Sequence, residues 1–140
     1  MNIYKEGTDI AVFAAAVSDF TPEGSSSVKI KKSENTIELT LLPTKDIAFE
    51  AGKIKKEGVI HIGFALETDN EKENAIAKLA KKRLDAIVLN SMNDPGAGFG
   101  TDTNKITIIS PSGEIRDYKL KAKKEVASDI VNYVESIFVC

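Results

Sequence analysis

Three continuous apolar runs constrain the fold of this chain more than any other feature. They read "DIAVFAAAV" (9–17), "VIHIGFAL" (59–66) and "DAIVLN" (85–90), and polar residues bound each of them. Runs without polar alternation are typical of strands that are buried on both faces, as in a parallel sheet. The sequence therefore predicts three strands of one sheet, with the rest of the chain covering its faces.

Segments with apolar residues at helical spacing lie between and after these runs. The first extends from Thr44, predicted as its cap, to Gly58, predicted as its end. The second has its apolar stripe at 75–80 and the third at 126–137. This alternation of strands and helices predicts an α/β fold, in which flanking helices cover a mixed but mostly parallel sheet.

Two further regions predict antiparallel pairs. "VKIKK" (28–32) and "NTIELTLL" (35–42) alternate apolar and polar residues, which indicates a protruding, half-exposed, two-stranded arm. "KITIIS" (105–110) and "IRDYKL" (115–120) flank the turn "PSGE", which indicates a hairpin.

The first apolar run raises a question about its neighbours. It begins almost at the N-terminus and is apolar throughout, so we expect it in the middle of the sheet. The remaining chain does not supply enough strands to flank it on both sides. We therefore expect that a segment upstream of this sequence is missing.

Composition excludes several classes of protein. The 140 residues suffice for one domain, and a net charge of −2 gives no overall attraction to nucleic acid or anionic membranes. Aromatic residues are 6% with no Trp, so platforms for base stacking are missing. No apolar run approaches the roughly 20 residues of a membrane span. The single cysteine, Cys140, excludes a disulfide framework and agrees with a cytoplasmic protein.

Asp19 and a group of lysines are candidate ligand-binding residues. Asp19 follows the first predicted strand, where a carboxylate can hold Mg²⁺ or bind a base or sugar; it also suits a turn before "TP". Lys29 and Lys31 lie on one face of the predicted arm, with Lys32 on the other. They could grip phosphate, or they could protect an edge strand from aggregation.

The second apolar run and the helix after it contain further candidates. Phe64 of "GFALET" could stack on a base or pack in the core, and Lys78 and Lys82 point the same way from one helix at i, i+4 spacing. These lysines form either a phosphate clamp or a solvated face. His61 lies inside the run, where a structural role is more common than catalysis.

In order along the chain, these segments resemble one known family. "AAAVSDF", "KIKK" ten residues after the aspartate, "TKDIA", "GFALET", "KLAKKRLD" and "GFGTDTNKITII" are similar to the phosphopantothenate–cysteine ligase family. The resemblance covers residues 9–138. It identifies residues 1–140 as the C-terminal part of a phosphopantothenoylcysteine synthetase domain, with the upstream part of the domain absent.

The resemblance implies a Rossmann-like fold and a specific reaction. In this family CTP and Mg²⁺ activate 4'-phosphopantothenate as an acyl-cytidylate, and the amine of L-cysteine then displaces CMP. It also implies a cytoplasmic homodimer, here through the 28–42 arm, without nucleic acid or membrane partners.

The resemblance also assigns site residues by position. Lys29 matches the lysine of the family's flap and is the catalytic residue that it implies. "TKDI" stands where the family usually has "NPDI", a departure that affects residues 45–48. The nucleotide-binding residues implied are Ala15, Asp19, Lys29, Lys45, Asp46, Ile47, Ala48, Phe64, Lys78 and Lys82, and no side chain is assigned as a metal ligand.

The missing upstream part leaves two functions open. The chain is either the CTP-binding and dimerising part of the ligase, inactive alone, or a non-catalytic nucleotide-binding or assembly module with the same fold.

Overall fold

The fold was analysed in a computed structural model, which describes residues 7–24, 27–29, 36–67, 69–91 and 100–138. The strands are β1 (Ile10–Phe13), β2 (Phe20–Pro22), β3 (Leu41–Pro43), β4 (Ile60–Glu67), β5 (Ala86–Ser91), β6 (Thr103–Asn104), β7 (Ile106–Ile109), β8 (Ile115–Asp117) and β9 (Lys121–Ala122). The helices are α1 (Ile47–Lys53), α2 (Glu71–Lys81) and α3 (Lys123–Ile137).

A five-stranded sheet with the order β1-β4-β5-β7-β8 organises the described chain. β4 pairs in parallel with β1 and with β5, while β7 pairs antiparallel with β5 and with β8. The three apolar runs therefore contribute the parallel strands, and the predicted hairpin adds the antiparallel ones. This confirms the mixed, Rossmann-like α/β fold.

Helices cover the two faces of the sheet. On one face Val126, Tyr133 and Val134 of α3 pack against isoleucines and valines of β4, β5 and β7. On the other face Ala75 and Leu79 of α2 pack against the alternate residues of the same strands. Because both faces of β4 and β5 are covered, these strands need no polar residues, which explains their continuous apolar sequence.

The first strand has a neighbour on one side only within the described residues, in line with the expectation that the chain does not supply enough strands to flank it. β1 forms an edge of the sheet with β4 as its neighbour, and Ile10 and Val12 are 40% and 51% exposed. Their register partners Ile60 and Ile62 belong to the core under α3. The helix thus covers β4 on this face but leaves β1 largely open.

A strand that the sequence did not predict, β2, pairs with the end of the predicted arm. β3 pairs antiparallel with β2, with Phe20 opposite Pro43, and Glu23 N–H donates to the Thr40 carbonyl at 2.9 Å. Residues 30–35 of the predicted arm lie outside the described residues, and its described residues 28–29 and 36–40 form no strand. The structure therefore adds β2 as the partner of Leu41–Pro43, while the pairing predicted for 28–32 falls mostly outside the described residues.

The first helix has a different cap from the predicted one. Asp46, not Thr44, is the N-cap, and its Oδ1 accepts from Phe49 N–H at 3.0 Å. Thr44 instead donates its hydroxyl to the Ser18 carbonyl. The helix ends at Lys53, and Gly58 occupies a later turn with φ of +81°.

The second hairpin and the last helix agree with the sequence, whereas the short antiparallel pair of β6 with β9 was not predicted. The β7–β8 hairpin closes where Gly113 adopts φ of +84°, and Val126 and Val134 on α3 are buried. Within the described residues, no helix combines the length and apolar character that a membrane crossing requires.

Gly52 allows α1 to approach the end of α2, which generates a test of the packing. A Cβ on Gly52 would fall well inside van der Waals contact with the Lys82 carbonyl. We expect Gly52→Ala to lower the free energy of unfolding by about 1–3 kcal/mol, measured by urea denaturation. The matched control is Gly24→Ala, where nothing lies within 4 Å of the new Cβ. Equal stability of the two variants would contradict this packing.

Candidate functional site

A cleft of about 270 Å³ opens at the carboxyl end of β1, beside Gly63 and Phe64 in the middle of β4. In open α/β sheets this is the edge at which ligands bind. The lining residues come from β1 and the segment after it, the turn into α1, β4, α2 and the start of β5: Val12, Phe13, Ala14, Ala15, Val17, Asp19, Thr44, Lys45, Asp46, Ile47, Ala48, Gly63, Phe64, Lys78, Lys82, Leu84 and Ile87.

Most of the residues assigned from sequence meet in this cleft. Nine of the ten line it: Ala15, Asp19, Lys45, Asp46, Ile47, Ala48, Phe64, Lys78 and Lys82. The exception is Lys29, which is exposed and does not line it. Segments separated by up to about half of the chain are thus brought to one place.

The floor of the cleft is apolar and tightly packed. A Cβ on Gly63 would approach Leu84 Cδ1 to 2.5 Å, so this glycine lets β4 lie close to the residues before β5. Phe64 follows it at the rim with 37% of its surface exposed. A partly exposed aromatic ring above an apolar floor suits a planar, weakly polar group such as a base.

Asp46 and Lys82 form an ion pair at the wall of the cleft. Asp46 Oδ2 lies 3.1 Å from Lys82 Nζ, while Oδ1 caps α1. Partial burial acts to raise the pKa of the Asp46 carboxyl, but the hydrogen bonds from Phe49 N–H and Lys82, with the charges of Lys82 and Lys81, outweigh it and lower that pKa. The carboxylate therefore stays ionised and keeps Lys82 in place.

Lys78 is paired with a residue that the sequence assignment missed. Its Nζ lies 2.5 Å from Oε1 of Glu67, the last residue of β4, whose side chain is 12% exposed. The sequence contained a signal for Glu67, because this carboxylate directly follows a buried apolar run, at the edge of the sheet where ligands bind. Glu67 does not itself line the cleft but acts on a lysine that does.

Lys45 and Asp19 complete the charged part of the lining. Thr44 N–H donates to the Asp19 carbonyl at 2.8 Å, which holds the segment before α1 against the segment after β1. Lys45 and Asp19 are exposed, and no ion pair involves either side chain within the described residues. The cleft thus combines two paired ammonium groups with one that has no counter-ion in this part of the chain.

His61 is buried and lies outside the cleft lining. Its ring packs edge-on against Phe13 with centroids 5.3 Å apart, and burial lowers the pKa of its imidazole. Its backbone N–H donates to Asp85 Oδ2 at 2.6 Å, and the same oxygen pairs with Lys55 Nζ at 2.5 Å. These contacts give His61 a place in the core, in line with the structural role expected for it.

The described part of the chain contains no group of three or more His, Cys, Asp or Glu side chains placed to hold a metal ion. Mg²⁺ often needs fewer protein ligands, since one or two carboxylates and substrate phosphates can hold it. Asp19, exposed in the lining, is of the right type for such a site.

The comparison with known proteins agrees with this geometry. Residues 2–138 match the family described as "DNA/pantothenate metabolism flavoprotein C-terminal domain". The chain belongs to this family. The match covers every element of the sheet and all residues of the cleft.

Two curated relatives differ in the activity that their names give. A prokaryotic protein named "Cysteine/Cysteine sulfinic acid decarboxylase" is 55% identical over 126 residues, which are 90% of this chain and 35% of that protein. The "Coenzyme A biosynthesis bifunctional protein CoaBC" of Bacillus subtilis is 39% identical over 137 residues, 98% of this chain and 33% of that protein. The chain thus spans about a third of the length of these relatives.

Solved structures share the fold. The C-terminal domain of a coenzyme A biosynthesis bifunctional protein CoaBC superposes with a TM-score of 0.74 at 29% identity, over 97% of this chain and 57% of that one. A DNA/pantothenate metabolism flavoprotein from Streptococcus pneumoniae superposes with a TM-score of 0.72 at 18% identity, over 96% of this chain and 67% of that one. The sheet and helices described above are therefore those of this family.

The two roles of Asp46 can be separated by substitution. We expect Asp46→Ala to lower the free energy of unfolding by about 1 kcal/mol or somewhat more, because it removes both cap and ion pair. Asp46→Asn keeps a capping oxygen and loses only an exposed ion pair, so its cost should be smaller, roughly 0.2–1 kcal/mol. Urea denaturation at pH 7 measures both.

The pH dependence gives a second check on Asp46. Because the folded state lowers the pKa of Asp46, its charge stabilises the fold above the unfolded pKa and loses that effect as pH falls through the folded value. The stability difference between wild type and Asp46→Asn should therefore shrink below about pH 4. A constant difference down to pH 2 would contradict the assigned role.

Proposed function

We propose that the chain is the CTP-binding and dimerising part of a phosphopantothenate–cysteine ligase that acts in coenzyme A biosynthesis. The observation that supports this most directly is the convergence of nine assigned residues in one cleft at the carboxyl end of β1. Membership of the family and the likeness to the CoaBC protein of Bacillus subtilis are in line with it.

The cleft has the chemistry that a nucleoside triphosphate requires. Lys45, Lys78 and Lys82 would neutralise the phosphates as point charges, and Phe64 would contact the base. Ala15 has a small side chain, which allows a ligand to approach the backbone. The proposed reaction forms an acyl-cytidylate from 4'-phosphopantothenate with loss of pyrophosphate; the amine of L-cysteine then displaces CMP.

Mg²⁺ would enter with the nucleotide. Asp19 is the cleft carboxylate that would meet it, since its side chain has no ion pair within the described residues. When bound, the ion would supply additional neutralisation of the phosphate charge. The side chains of the cleft would bind and orient the nucleotide.

Lys29 does not line the cleft, so it would have to reach the ligand from outside it. It is exposed and belongs to the proposed arm, which extends from 28 to 42. For catalysis the arm would have to bring Lys29 over the phosphates, where its charge would stabilise the developing negative charge. We also propose that the arm forms the homodimer interface, so both tasks would depend on the same segment.

Nucleotide binding tests the proposal directly. We expect Mg·CTP to bind this chain in calorimetric titration, and Lys78→Ala to weaken binding by about tenfold or more because a phosphate contact is lost. Asp19→Ala should weaken it as well. Lys72→Ala is the control, because Lys72 is exposed on the same helix and does not line the cleft. No binding of Mg·CTP or Mg·ATP would refute a preformed site in this chain.

Lys29 separates the ligase from a non-catalytic assembly module of the same fold. The protein to use joins this chain to the upstream segment of its relatives, because we propose that the chain alone is inactive. If Lys29 serves catalysis, Lys29→Ala should reduce pyrophosphate release strongly, by about a hundredfold or more, while the dimer persists in analytical ultracentrifugation. A weakened dimer with unchanged turnover would favour the assembly module.

The relative named as a cysteine decarboxylase supports a second candidate. At 55% identity it is more similar to this chain than the Bacillus subtilis protein is, at 39%. The joined protein should therefore be assayed for carbon dioxide release from cysteine and cysteine sulfinic acid in parallel. Carbon dioxide without CTP-dependent pyrophosphate would favour the decarboxylase.

A further inference from the structure

Glu67 holds the ammonium of Lys78 at the candidate nucleotide site. One carboxylate oxygen lies 2.5 Å from Lys78 Nζ, and the other lies 3.4 Å from Asn74 Nδ2. Asn74 and Lys78 are one turn apart on α2, so the carboxylate at the end of β4 reaches two successive turns of the helix. Any anion that enters the cleft therefore meets a lysine that already has a counter-ion.

The two partners differ in their freedom to move. The side chain of Lys78 is 44% exposed, whereas that of Glu67 is 12% exposed. A lysine has a long, flexible stem and can turn toward a ligand in the open cleft. An enclosed carboxylate has little room to turn away, so its negative charge remains beside Lys78 when that lysine binds an anion.

The second ion pair of the cleft provides a comparison. Asp46 is 42% exposed and lies 3.1 Å from Lys82, so water screens its charge more effectively than it screens Glu67. Of these two carboxylates, Glu67 therefore competes more strongly with an incoming anion for its lysine.

We propose that Glu67 is a specificity-determining residue, which weakens the binding of simple anions to Lys78; this rests on the proposed nucleotide site. A phosphate hydrogen-bonded to Lys78 would lie about 5 Å from the Glu67 carboxylate, because both would touch one ammonium group. Repulsion at that distance near a protein surface weakens binding by about fivefold to a hundredfold. A ligand that also contacts the Phe64 end of the cleft can offset this cost, whereas pyrophosphate cannot.

Pyrophosphate binding to Glu67→Gln tests this inference. The substitution removes the charge and keeps the size of the side chain. We expect inorganic pyrophosphate, titrated by calorimetry, to bind this variant at least about fivefold more tightly than wild type. The control is Glu50→Gln, since Glu50 also pairs with a lysine, Lys53 at 2.7 Å, but this lysine, unlike Lys78, does not line the cleft. This control should change the affinity by less than about twofold.

Unchanged or weaker pyrophosphate binding by Glu67→Gln would overturn the inference and leave Glu67 with the task of holding Lys78 in place. Glu67→Asp keeps the charge but withdraws it from the ammonium, so its affinity should fall between those of wild type and Glu67→Gln. A thermal melt of each variant establishes that it is folded.

A measurement without ligand tests the ion pair itself. The rate of acylation of each lysine, followed by mass spectrometry, should rise at Lys78 in Glu67→Gln and stay unchanged at Lys72. Equal acylation rates at Lys78 in wild type and variant would show that Glu67 does not hold Lys78 in solution, and the inference would fail.

Titration with Mg·CTP separates this inference from the proposed function. If wild type does not bind Mg·CTP but Glu67→Gln binds pyrophosphate more tightly than wild type, the nucleotide function fails and the role of Glu67 stands. If wild type binds Mg·CTP and Glu67→Gln does not change pyrophosphate binding, the function stands and the role of Glu67 fails. If neither protein binds either ligand, both proposals fail.

Discussion

The parallel pairing of β4 with both β1 and β5 is the constraint on which the rest of the structure depends. It places the end of β1, the middle of β4 and the start of β5 side by side, so their side chains line one cleft. β4 itself contributes Gly63 to the floor of the cleft and Phe64 to its rim, and it ends at Glu67. A shift of its register by one residue would exchange the two faces of the strand and bury Phe64 instead.

Much of this arrangement could be predicted from sequence because it depends on local signals. Continuous apolar runs identify strands that are covered on both faces, and the turn around Gly113 identifies the hairpin. The gathering of residues as distant as Asp19 and Lys82 depends on topology, which no local pattern contains. That prediction came from the order and spacing of motifs shared with a family, and the structure places both residues in the cleft.

The errors share a physical cause, which is competition between partners that are distant in sequence. An apolar run indicates that a strand can be buried, but not that a helix reaches it; α3 covers Ile60 and leaves Ile10 exposed. Alternation indicates a strand but not every partner, so Leu41 and Leu42 pair with β2, which the sequence did not predict as a strand. Thr44 is a good capping residue, yet its hydroxyl bonds to Ser18 and Asp46 caps the helix.

The ion pairs of the cleft connect ligand binding to the stability of the fold. Asp46 with Lys82 links the start of α1 to the end of α2, and Glu67 with Lys78 links β4 to the last turn of the same helix. An anion that competes for these lysines acts on contacts that hold α2 in place. Such a site gains affinity from its cations and loses part of it in breaking their internal pairs. Its selectivity would then depend on the carboxylates that pair with the lysines as much as on the lysines themselves. The composition of the chain shows only the net charge of both groups together.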